Sequence, residues 1–328
     1  MKVFVTGASG FIGGALAARL AERGDEVVGL ARSDRAAVEV ERRGARAVRG
    51  NLLDEESLAR GMEGCELAFH VAGLNTHCPA DPDMQVRVNV DGAASAIRAA
   101  AKAGVPKVVY TSSAASVGEP PGTIGREDTV HRGSYLSVYD RSKHLGEQAA
   151  FAEGQRHGVH VSAVNPSSVQ GPGRDSGNGK IIIAYLNGKL PVFVDTYVSV
   201  VDIADTVEGH LLAAANGAAG GRYVLNGATI PAAEALTIVR ELTGLQDQPR
   251  MLPPALARAA AAVTERIRGQ GTSLCRARVR TILHGHRYDG SLASRELGLA
   301  YTPVRETFRR TIEWAVAEGL VTRRLPSG

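Results

Sequence analysis

A tyrosine and a lysine four residues apart, Tyr139 and Lys143, are the pair in this sequence best suited to acid–base chemistry. On a helix the two side chains lie one turn apart on the same face. A free tyrosine has a pKa of about 10, which is too high for a good acid–base group near neutrality. A neighbouring ammonium favours the phenolate, so we expect Lys143 to lower the pKa of Tyr139. The spacing alone is a weak signal, because any exposed helix can carry it.

Ser113 is the third candidate, and it follows the apolar run Val108–Thr111 and a second serine, Ser112. The run is typical of a buried strand that ends in hydroxyl groups. In open α/β sheets ligands bind outside the carboxyl ends of the strands, so this end would face a substrate. There Ser113 could hold a carbonyl oxygen while Tyr139 protonates it. The alternative is that the hydroxyls only satisfy backbone groups at the end of the strand.

A glycine-rich segment, Thr6–Gly13, follows the first apolar run and precedes a helical pattern. Gly7 allows a tight turn, Gly10 lets the backbone approach a pyrophosphate, and Gly13 lets helix and strand pack closely. Backbone N–H groups at the start of the helix can then bind phosphates. A strand before the loop and a helix after it are what a dinucleotide-binding motif requires. We therefore assign to cofactor binding the residues Gly7, Ser9, Gly10, Phe11, Ile12 and Gly13.

The end of the second strand distinguishes NAD from NADP. An acidic residue there would bind the adenosine ribose hydroxyls of NAD, whereas an arginine would accept the 2′-phosphate of NADP. The chain reads Ala31-Arg32-Ser33 and has no acid at this point. Arg32 can form a charge-assisted bond to phosphate, although most arginines are solvated surface residues. We predict NADP as the cofactor, with NAD as the alternative.

Short valine-rich runs alternate with helical segments through the first half of the chain, and this alternation predicts an α/β fold. We expect a doubly wound parallel Rossmann sheet over residues 1–165, with right-handed crossovers. The clearest helical segments are Phe11–Glu22 and Ala93–Ala103. The runs predicted as strands are Lys2–Val5, Glu26–Ala31, Ala45–Val48, Leu67–Val71, Lys107–Thr111 and His160–Val164.

The pattern changes after about residue 165, where loops with glycine and proline become frequent. Residues 166–328 are expected to form mainly a smaller C-terminal substrate-binding cap over the carboxyl edge of the sheet. Segments at about 194–225 are expected to return to the Rossmann core. Asp202 is a good N-cap for a helix that runs toward Asn216. Further elements predicted in this half are the strand Arg222–Leu225 and the helices Leu252–Arg268 and Val304–Glu318.

Composition excludes several classes of protein. The chain has 328 residues, of which 44% are hydrophobic and 22% charged, as in ordinary globular proteins. A net charge of +4 with 5% aromatic residues is too weak a basic footprint for a nucleic-acid partner. No apolar run reaches the roughly 18 residues of a membrane span, and no signal peptide is recognisable. The widely spaced Cys65, Cys78 and Cys275 predict neither a disulfide framework nor a zinc site. We therefore expect a cytoplasmic protein with no metal and no membrane contact.

The order of glycine loop, strand-end serine and Tyr-x-x-x-Lys resembles the extended short-chain dehydrogenase/reductase family, part of the NAD-dependent epimerase/dehydratase superfamily. The likeness covers nearly the whole chain. It implies that Tyr139 supplies a proton, that Lys143 binds the nicotinamide ribose, and that Ser113 polarises the substrate oxygen. It also implies that Asn89 supports the active site. Further cofactor contacts that the resemblance implies are Asn51 and Leu52 at the adenine, Val71, Ala72 and Gly73 after the fourth strand, and Thr111 at the end of the fifth.

The segment Asn165–Pro172 indicates a branch of this family. It reads Asn-Pro-x-x-Val-x-Gly-Pro, which resembles dihydroflavonol reductase and similar carbonyl reductases, including hydroxysteroid dehydrogenases. Many sugar-nucleotide enzymes have arginine and asparagine where this chain has Asn165 and Ser168. Related dehydratases have an acidic pair after the strand-end hydroxyl, where this chain has two alanines. The resemblance implies that Pro166 and Ser168 contact the nicotinamide end of the cofactor.

The implied reaction is reversible hydride transfer between NADP(H) and a carbonyl or secondary-alcohol substrate. The family resemblance also implies a homodimer that pairs through the helices holding Asn89 and Tyr139. An NAD-dependent sugar-nucleotide 4-epimerase with tightly retained cofactor is the alternative function. A non-catalytic nucleotide sensor on the same fold is the third. The candidates for lining the substrate are Tyr185, Tyr197 and the loop Asn75–Met84.

Overall fold

The computed structural model describes residues 1–177, 179–268 and 275–326 of the chain. The strands are, in chain order, β1 Lys2–Thr6, β2 Glu26–Ala31, β3 Arg46–Arg49, β4 Leu67–His70, β5 Lys107–Thr111, β6 His160–Pro166, β7 Ser168–Gln170, β8 Val192–Val194, β9 Tyr197–Asp202, β10 Arg222–Leu225, β11 Ala228–Pro231 and β12 Arg250–Leu252. The helices are α1 Phe11–Glu22, α2 Asp34–Arg42, α3 Glu55–Met62, α4 Pro82–Val86, α5 Gly92–Lys102, α6 Val138–His157, α7 Gly179–Leu186, α8 Ile203–Asn216, α9 Ala232–Thr243, α10 Pro254–Arg268, α11 Arg276–His284 and α12 Val304–Ala317.

The main sheet contains seven parallel strands in the order β3-β2-β1-β4-β5-β6-β10. In β1, Val3 lies opposite Val27 of β2 on one side and opposite Leu67 of β4 on the other. The strand order reverses between β1 and β4, which is where ligands bind in doubly wound sheets. The predicted doubly wound parallel Rossmann sheet is therefore confirmed, and every strand predicted from the sequence lies in it.

Helices cover both faces of this sheet, because successive residues of a strand point to opposite sides. Val3 and Val5 of β1 pack into one core cluster, with side chains from α1 and α8, whereas Phe4 packs into a second cluster with α3 and α5. Leu16 and Ile97, one from each cluster, are fully buried. Burial of such a side chain contributes roughly 1.5–3 kcal/mol. The sheet is thus packed on both faces, and this packing fixes the position of the carboxyl ends of its strands.

The second half adds two small sheets, β11-β9-β7 and β12-β8. Helices α7, α9 and α12 pack with β9 around a separate core cluster that includes Tyr185, Val239 and Phe308. β10 joins the main sheet, where Val224 lies opposite Asn165 of β6. The boundary at residue 165 and the role of 166–328 as a substrate-binding cap stay predictions, and the name cap is used below for the residues of this half outside α8 and β10.

Side-chain caps set where the functional helices begin. Asp202 caps α8 by accepting a hydrogen bond from Ala204 N at 2.7 Å, and the helix ends at Asn216, as the sequence predicts. Ser137 caps α6 by accepting from Asp140 N at 3.2 Å. The start of α6 fixes the direction of the side chains in its first two turns, where Tyr139 and Lys143 lie.

A disulfide joins Cys78 to Cys275, with the two sulfur atoms 2.12 Å apart. The prediction that the cysteines form no disulfide was therefore wrong. The two residues are 197 positions apart in the sequence, so no local spacing signals their pairing. Cys65 is a free and buried thiol. Because disulfides are rare in cytosolic proteins, the cytoplasmic location stays a prediction.

No helix within the residues that the structure describes combines the length and the apolar character needed to cross a bilayer.

Candidate active site

Ser113 lies just past the carboxyl end of β5, at the ligand-binding edge of the sheet. Its Oγ accepts a hydrogen bond from Ala115 N at 3.2 Å and so caps the short 3-10 turn Ala114–Ser116. The same side chain hydrogen-bonds with Tyr139. The Ser113 hydroxyl therefore fulfils both roles that the sequence left open. It accepts a backbone hydrogen bond after the strand, and it interacts with the Tyr139 side chain.

Tyr139 and Lys143 lie one turn apart near the start of α6. Lys143 Nζ donates a hydrogen bond to Thr111 O at 2.7 Å, and the lysine side chain is buried. The ammonium also lies 5.2 Å from the centre of the Tyr110 ring. Helix α6 thus carries both residues to the end of β5, and the structure brings Ser113, Tyr139 and Lys143 together as the sequence analysis expects.

The electrostatics of this trio differ from the expectation. Burial raises the pKa of Tyr139 above its ordinary value, against the opposing hydrogen bond with Ser113. Burial also lowers the pKa of Lys143 to about 8, against the opposing charge of Glu147. Lys143 directs its ammonium to the carbonyl oxygen of Thr111. The expected lowering of the Tyr139 pKa is therefore not observed, because desolvation outweighs the charges that favour the phenolate.

The glycine loop forms a cradle with no room for side chains. Gly7 has a φ of 75°, and a Cβ atom there would lie 2.8 Å from Ala72 N. A Cβ atom on Gly13 would lie 2.3 Å from Gly7 O, so α1 and the loop pack backbone to backbone. Gly10 is the N-cap of α1, and no side chain caps this helix. The first N–H groups of α1 are therefore available to a phosphate, and the loop fits a dinucleotide.

The segment Val71–Gly73 lies between the glycine loop and α6. Thr6 Oγ1 accepts hydrogen bonds from Val71 N and Ala72 N, both at 3.1 Å, and so ties the segment to the end of β1. A Cβ atom on Gly73 would lie 3.8 Å from Lys143 Nζ. The segment that the sequence assigns to the cofactor is thus placed beside both the predicted phosphate loop and Lys143.

Asn89 holds this segment against α6. It lies in a π-helical turn, Arg87–Asp91, and its side chain is buried. Its Oδ1 accepts from Leu74 N at 2.7 Å, while its Nδ2 donates to Leu74 O and to Ser142 Oγ, both at 2.9 Å. Its support of the site is direct, through hydrogen bonds to the loop and to the helix that carries Tyr139.

The residues predicted to bind the adenosine end of the cofactor follow β2 and β3. These strands lie in the opposite half of the sheet from β5, at whose end Ser113 lies. Arg32 follows β2 directly and is exposed, and no ion pair with another residue of the described part engages its guanidinium. Asn51 Oδ1 accepts a hydrogen bond from Leu53 N at 3.1 Å and turns the chain ahead of α3. Leu52 is half-buried, and Ser9 is exposed in the glycine loop. Arg32 is therefore accessible to a phosphate from solvent.

Two side chains that the sequence analysis did not single out contact this site. His77 packs edge-on to Tyr139, with the ring centres 5.2 Å apart. The guanidinium of Arg174 lies 5.1 Å from the centre of the Phe11 ring, and its charge acts to lower the pKa of Tyr139. His77 belongs to the loop Asn75–Met84, which was a candidate only as a whole. Nothing local marks Arg174, since arginines are common on surfaces.

Asn165, the marker of the reductase branch, lies behind Ser113. Its Nδ2 donates to Ser116 Oγ at 2.9 Å, to Glu147 Oε2 at 2.5 Å and, at 3.3 Å, to the carbonyl oxygen of Ser113. Arg222 pairs with the other carboxylate oxygen of Glu147 at 2.8 Å. The amide of Asn165 is fully buried and positions Ser113 from the side away from the substrate edge.

The remaining predicted residues divide between the site and the cap. Pro166 is the last residue of β6 and Ser168 is the first of β7. Both therefore lie at the carboxyl end of β6, the neighbour of β5. Tyr185 OH donates to Asp247 O at 2.9 Å within the core of the cap. Tyr197 is largely exposed beneath the guanidinium of Arg287. The structure therefore does not bring either tyrosine to Ser113, Tyr139 and Lys143.

The sequence matches a known family and proteins within it. The model of the NAD dependent epimerase/dehydratase family matches residues 3–226. A putative dihydroflavonol 4-reductase from Synechocystis sp. is 31% identical over 330 residues, which cover 97% of this chain and 95% of that protein. Sterol demethylase protein B from Methylococcus capsulatus is 30% identical over 98% of this chain and 100% of its own length.

Solved structures show the same architecture. The crystal structure of gox2253 superposes with a TM-score of 0.86 at 29% identity, covering 98% of this chain and 99% of that one. The UDP-glucose 4-epimerase of Thermotoga maritima superposes with a TM-score of 0.79 at 21% identity, over 97% of this chain and 99% of that one. At that identity the second likeness shows the fold alone.

Proposed function

The chain belongs to the NAD-dependent epimerase/dehydratase family, and from that premise we propose that it catalyses reversible hydride transfer between NADP(H) and a small carbonyl or secondary-alcohol substrate. In coarser terms it is an NAD(P)-dependent oxidoreductase; the choice of NADP, the substrate class and the roles of individual residues are the proposed part. The observation that carries the proposal is the meeting of Ser113, Tyr139 and Lys143 at the carboxyl end of β5.

The residues of the cradle suit the proposed cofactor. When bound, the nicotinamide supplies or accepts the hydride. The uncapped N-terminus of α1 would hold the pyrophosphate, and the exposed Arg32 would pair with the 2′-phosphate of NADP. Lys143 would bind the nicotinamide ribose. The segment Val71–Gly73 would line the path between these two ends.

The proposed mechanism uses the hydroxyl groups of Ser113 and Tyr139. In the direction of reduction, both hydroxyls donate hydrogen bonds to the carbonyl oxygen, and Tyr139 transfers its proton as negative charge develops there. Because burial raises the pKa of Tyr139, the phenol is protonated at neutral pH and can donate. The charge of Arg174 acts to lower the pKa of Tyr139 and so favours the phenolate left behind, and the family resemblance assigns a similar role to the Lys143 ammonium. In the direction of oxidation the Tyr139 phenolate takes up the proton of the substrate alcohol, while Ser113 keeps its hydrogen bond to the oxygen.

Two features favour a reductase over the alternative sugar-nucleotide epimerase. The relatives at 30% identity or more that cover nearly the whole chain include a putative dihydroflavonol 4-reductase, whereas the epimerase likeness is one of fold. Asn165 stands where many sugar-nucleotide enzymes have an arginine, and its amide is occupied by Ser113 O, Ser116 and Glu147. That position therefore has no free donor for a sugar nucleotide.

The proposal is tested by following NADPH oxidation with aldehydes, aryl ketones, ketosteroids and acyl thioesters. We expect turnover with at least one class, and a loss of about 10²–10⁴-fold in kcat for Tyr139→Phe, since a positioned proton donor contributes about that much. Tyr197→Phe is the matched control, because Tyr197 is exposed and stands apart from the trio. Wild-type turnover by Tyr139→Phe would disprove the assignment. Stoichiometric NAD retained through purification, without turnover of added NADPH, would favour the epimerase.

A homodimer is proposed only on the family resemblance, and a cytoplasmic location only on the cysteine usage and the other sequence features given above. The apolar run Ala93–Ala103 does not argue for a subunit interface, because Ala93, Ala96 and Ile97 are fully buried within one chain and α5 packs against α3 and α6. Light scattering should give twice the chain mass of 34.4 kDa, and a monomer would refute the homodimer.

A further inference from the structure

Two histidines and a glutamate from distant parts of the chain meet where the cap contacts the Rossmann half. Glu119 follows the 3-10 turn that begins after Ser113, while His284 ends α11 and His286 lies two residues later. Gly285 between them has a φ of 64°, a left-handed conformation that suits glycine and reverses the chain. The two imidazole rings consequently return to the same place, with their centres 4.6 Å apart.

The donor atoms of these side chains converge on one point. Glu119 Oε1 lies 3.2 Å from His284 Nε2 and 2.5 Å from His286 Nδ1. Taken together, the three donor atoms lie within 4.8 Å of one another. The side chain of Glu119 is 1% exposed, that of His284 5% and that of His286 15%. The cluster is therefore shielded from water and cannot rely on solvent to satisfy its charges.

Hydrogen bonding within the cluster is incomplete. His284 and His286 both contact the same carboxylate oxygen of Glu119, Oε1. The other oxygen, Oε2, is buried and lacks a hydrogen-bond partner in the described part of the chain. One buried oxygen of the Glu119 carboxylate is thus left without a donor.

A cation would satisfy all of these groups at once. A carboxylate can bind a metal ion through both oxygens, which would engage Oε2, and each imidazole offers one neutral nitrogen. Two imidazoles and a carboxylate are a recurring ligand set for zinc and other first-row divalent ions, and they leave further positions open. The hydroxyl of Tyr288, which is 3.0 Å from His286 Nδ1, is a further oxygen donor beside the cluster.

The surrounding charges do not oppose such an ion strongly. Arg132 donates to the backbone oxygen of Glu119 at 3.2 Å, but a second nitrogen of its guanidinium lies 3.7 Å from the carboxylate of Asp140. The Arg132 charge is therefore paired with Asp140. His77, the ring that packs on Tyr139, also interacts electrostatically with His286. The cluster thus lies close to the substrate edge without including the catalytic trio.

We propose that Glu119, His284 and His286 bind one divalent transition-metal ion, most fittingly Zn²⁺, at the junction of the cap and the Rossmann half. The ion ties the end of α11 to the segment that follows Ser113. The expectation of no metal rested on the spacing of the cysteines and did not consider these three residues, which lie far apart in the sequence. This site is independent of the proposed oxidoreductase function, since none of its three ligands belongs to the catalytic trio.

The test is a metal titration of the full chain after treatment with a chelator and dialysis. Co²⁺ reports its coordination through visible absorption, and isothermal calorimetry gives the affinity and stoichiometry for Zn²⁺. We expect one ion per chain, with the affinity reduced on the order of 100-fold or more by Glu119→Gln or His284→Ala, since even outer groups of metal sites change affinity by 10–100-fold. No saturable binding by the wild-type protein would overturn the proposal.

A matched control is provided by a second close histidine pair, His131 and His144, whose ring centres are 4.2 Å apart and which belong to no potential metal-ligand cluster among the described residues. His131→Ala should bind Zn²⁺ as the wild type does, and an equal loss in this variant would contradict the assignment. Thermal unfolding of each metal-free variant establishes that it is folded. Anomalous diffraction at the zinc edge is the second measurement on the wild-type protein. A peak between the three side chains supports the site, and a peak elsewhere excludes it.

Discussion

The Rossmann half and the cap hold their functional side chains in place by different means. In the Rossmann half, Tyr139 and Lys143 lie on one helix, and the glycine loop fits within Thr6–Gly13. In the cap, the side chains that reach the site come from far along the chain: Cys275 pairs with Cys78, and His286 meets Glu119 across 167 residues. The proposed chemistry therefore depends on local geometry, whereas the position of the cap depends on long-range contacts.

One line of contact between the two halves is formed by residues 118–133 and 284–290. Gly125 N donates to Arg287 O at 2.8 Å, and Arg126 Nε pairs with Asp289 Oδ2 at 2.9 Å. These contacts lie beside the Glu119 cluster. Beside these polar contacts Tyr288 packs in a small apolar cluster with Ala114, Val117 and Val224, whereas two much larger apolar clusters flank the main sheet. The comparison predicts that changes in the Rossmann half alter turnover, whereas changes at the links to the cap alter stability.

The largest expected effect is in the Rossmann half. Ser113→Ala removes a hydroxyl proposed to stabilise the developing negative charge, and it should lower kcat by on the order of 10²–10³-fold. Steady-state kinetics with the substrate found in the panel would measure this. Ser134→Ala, at an exposed serine, is the control and should be unaffected. A change confined to KM would show that Ser113 only binds substrate.

The second prediction concerns the disulfide that links the halves. Cys275→Ser, or reduction of the wild-type protein, should lower the free energy of unfolding by about 2–4 kcal/mol, because the bond restricts the unfolded chain across 197 residues. Denaturant unfolding with and without reductant measures the difference. Reductant should have no further effect on Cys275→Ser. Identical unfolding of the oxidised and reduced wild-type protein would show that the cap is held without this bond.

The third prediction concerns the preference for NADPH over NADH, which the sequence assigns to Arg32 at the end of β2 in the Rossmann half. Arg32→Ala should weaken NADPH binding by roughly 10–100-fold, because a charge-assisted hydrogen bond is worth about 1.5–3 kcal/mol, and should leave NADH binding unchanged. Arg42→Ala at the end of α2 is the control, since this arginine pairs with Glu39 on the surface. Fluorescence titration gives both dissociation constants. Equal affinities of the wild-type protein for NADPH and NADH would reject Arg32 as the determinant.

The smallest expected effect is a pH dependence set by Lys143. Burial lowers the pKa of this lysine to about 8, so the ammonium is present below that pH and lost above it. The kcat/KM for reduction should therefore be level below pH 8 and fall as the pH rises further, since this ratio reports the free enzyme. Lys143→Arg keeps its charge and should move the fall to higher pH. A fall at the same pH in both proteins would assign it to another group.

Much of the site could be read from the chain because its signals act between near neighbours. Apolar runs in β1, β2 and β5 indicated strands, and Asp202 indicated the start of α8. The spacing of Tyr139 and Lys143 indicated one helical face, and the strand that precedes them indicated the edge of the sheet. Each of these inferences uses a period or a cap whose energy depends on residues a few positions apart.

Other features became visible only in the folded chain. The pKa of Tyr139 is raised because the surrounding structure removes water from the phenol, an effect that no spacing reports. Asn165 marked a branch of the family, but its hydrogen bonds to Ser113 O and Glu147 depend on β5, β6 and α6 lying side by side. His77 and Arg174 reach the site through loops whose paths are set by packing.

The amino-acid sequence by itself determined the order of the elements, the glycine loop and the placing of Tyr139 and Lys143 on one helical face, because backbone propensity and side-chain periodicity are local properties. Only the tertiary structure decided that Cys78 meets Cys275 and that Glu119 meets His284 and His286. Such pairings bring together residues more than 160 positions apart. They contribute to stability only once the tertiary fold has brought the two segments into contact. The desolvation of a side chain likewise depends on tertiary structure, because a side chain is buried by the whole fold and not by its neighbours in the sequence.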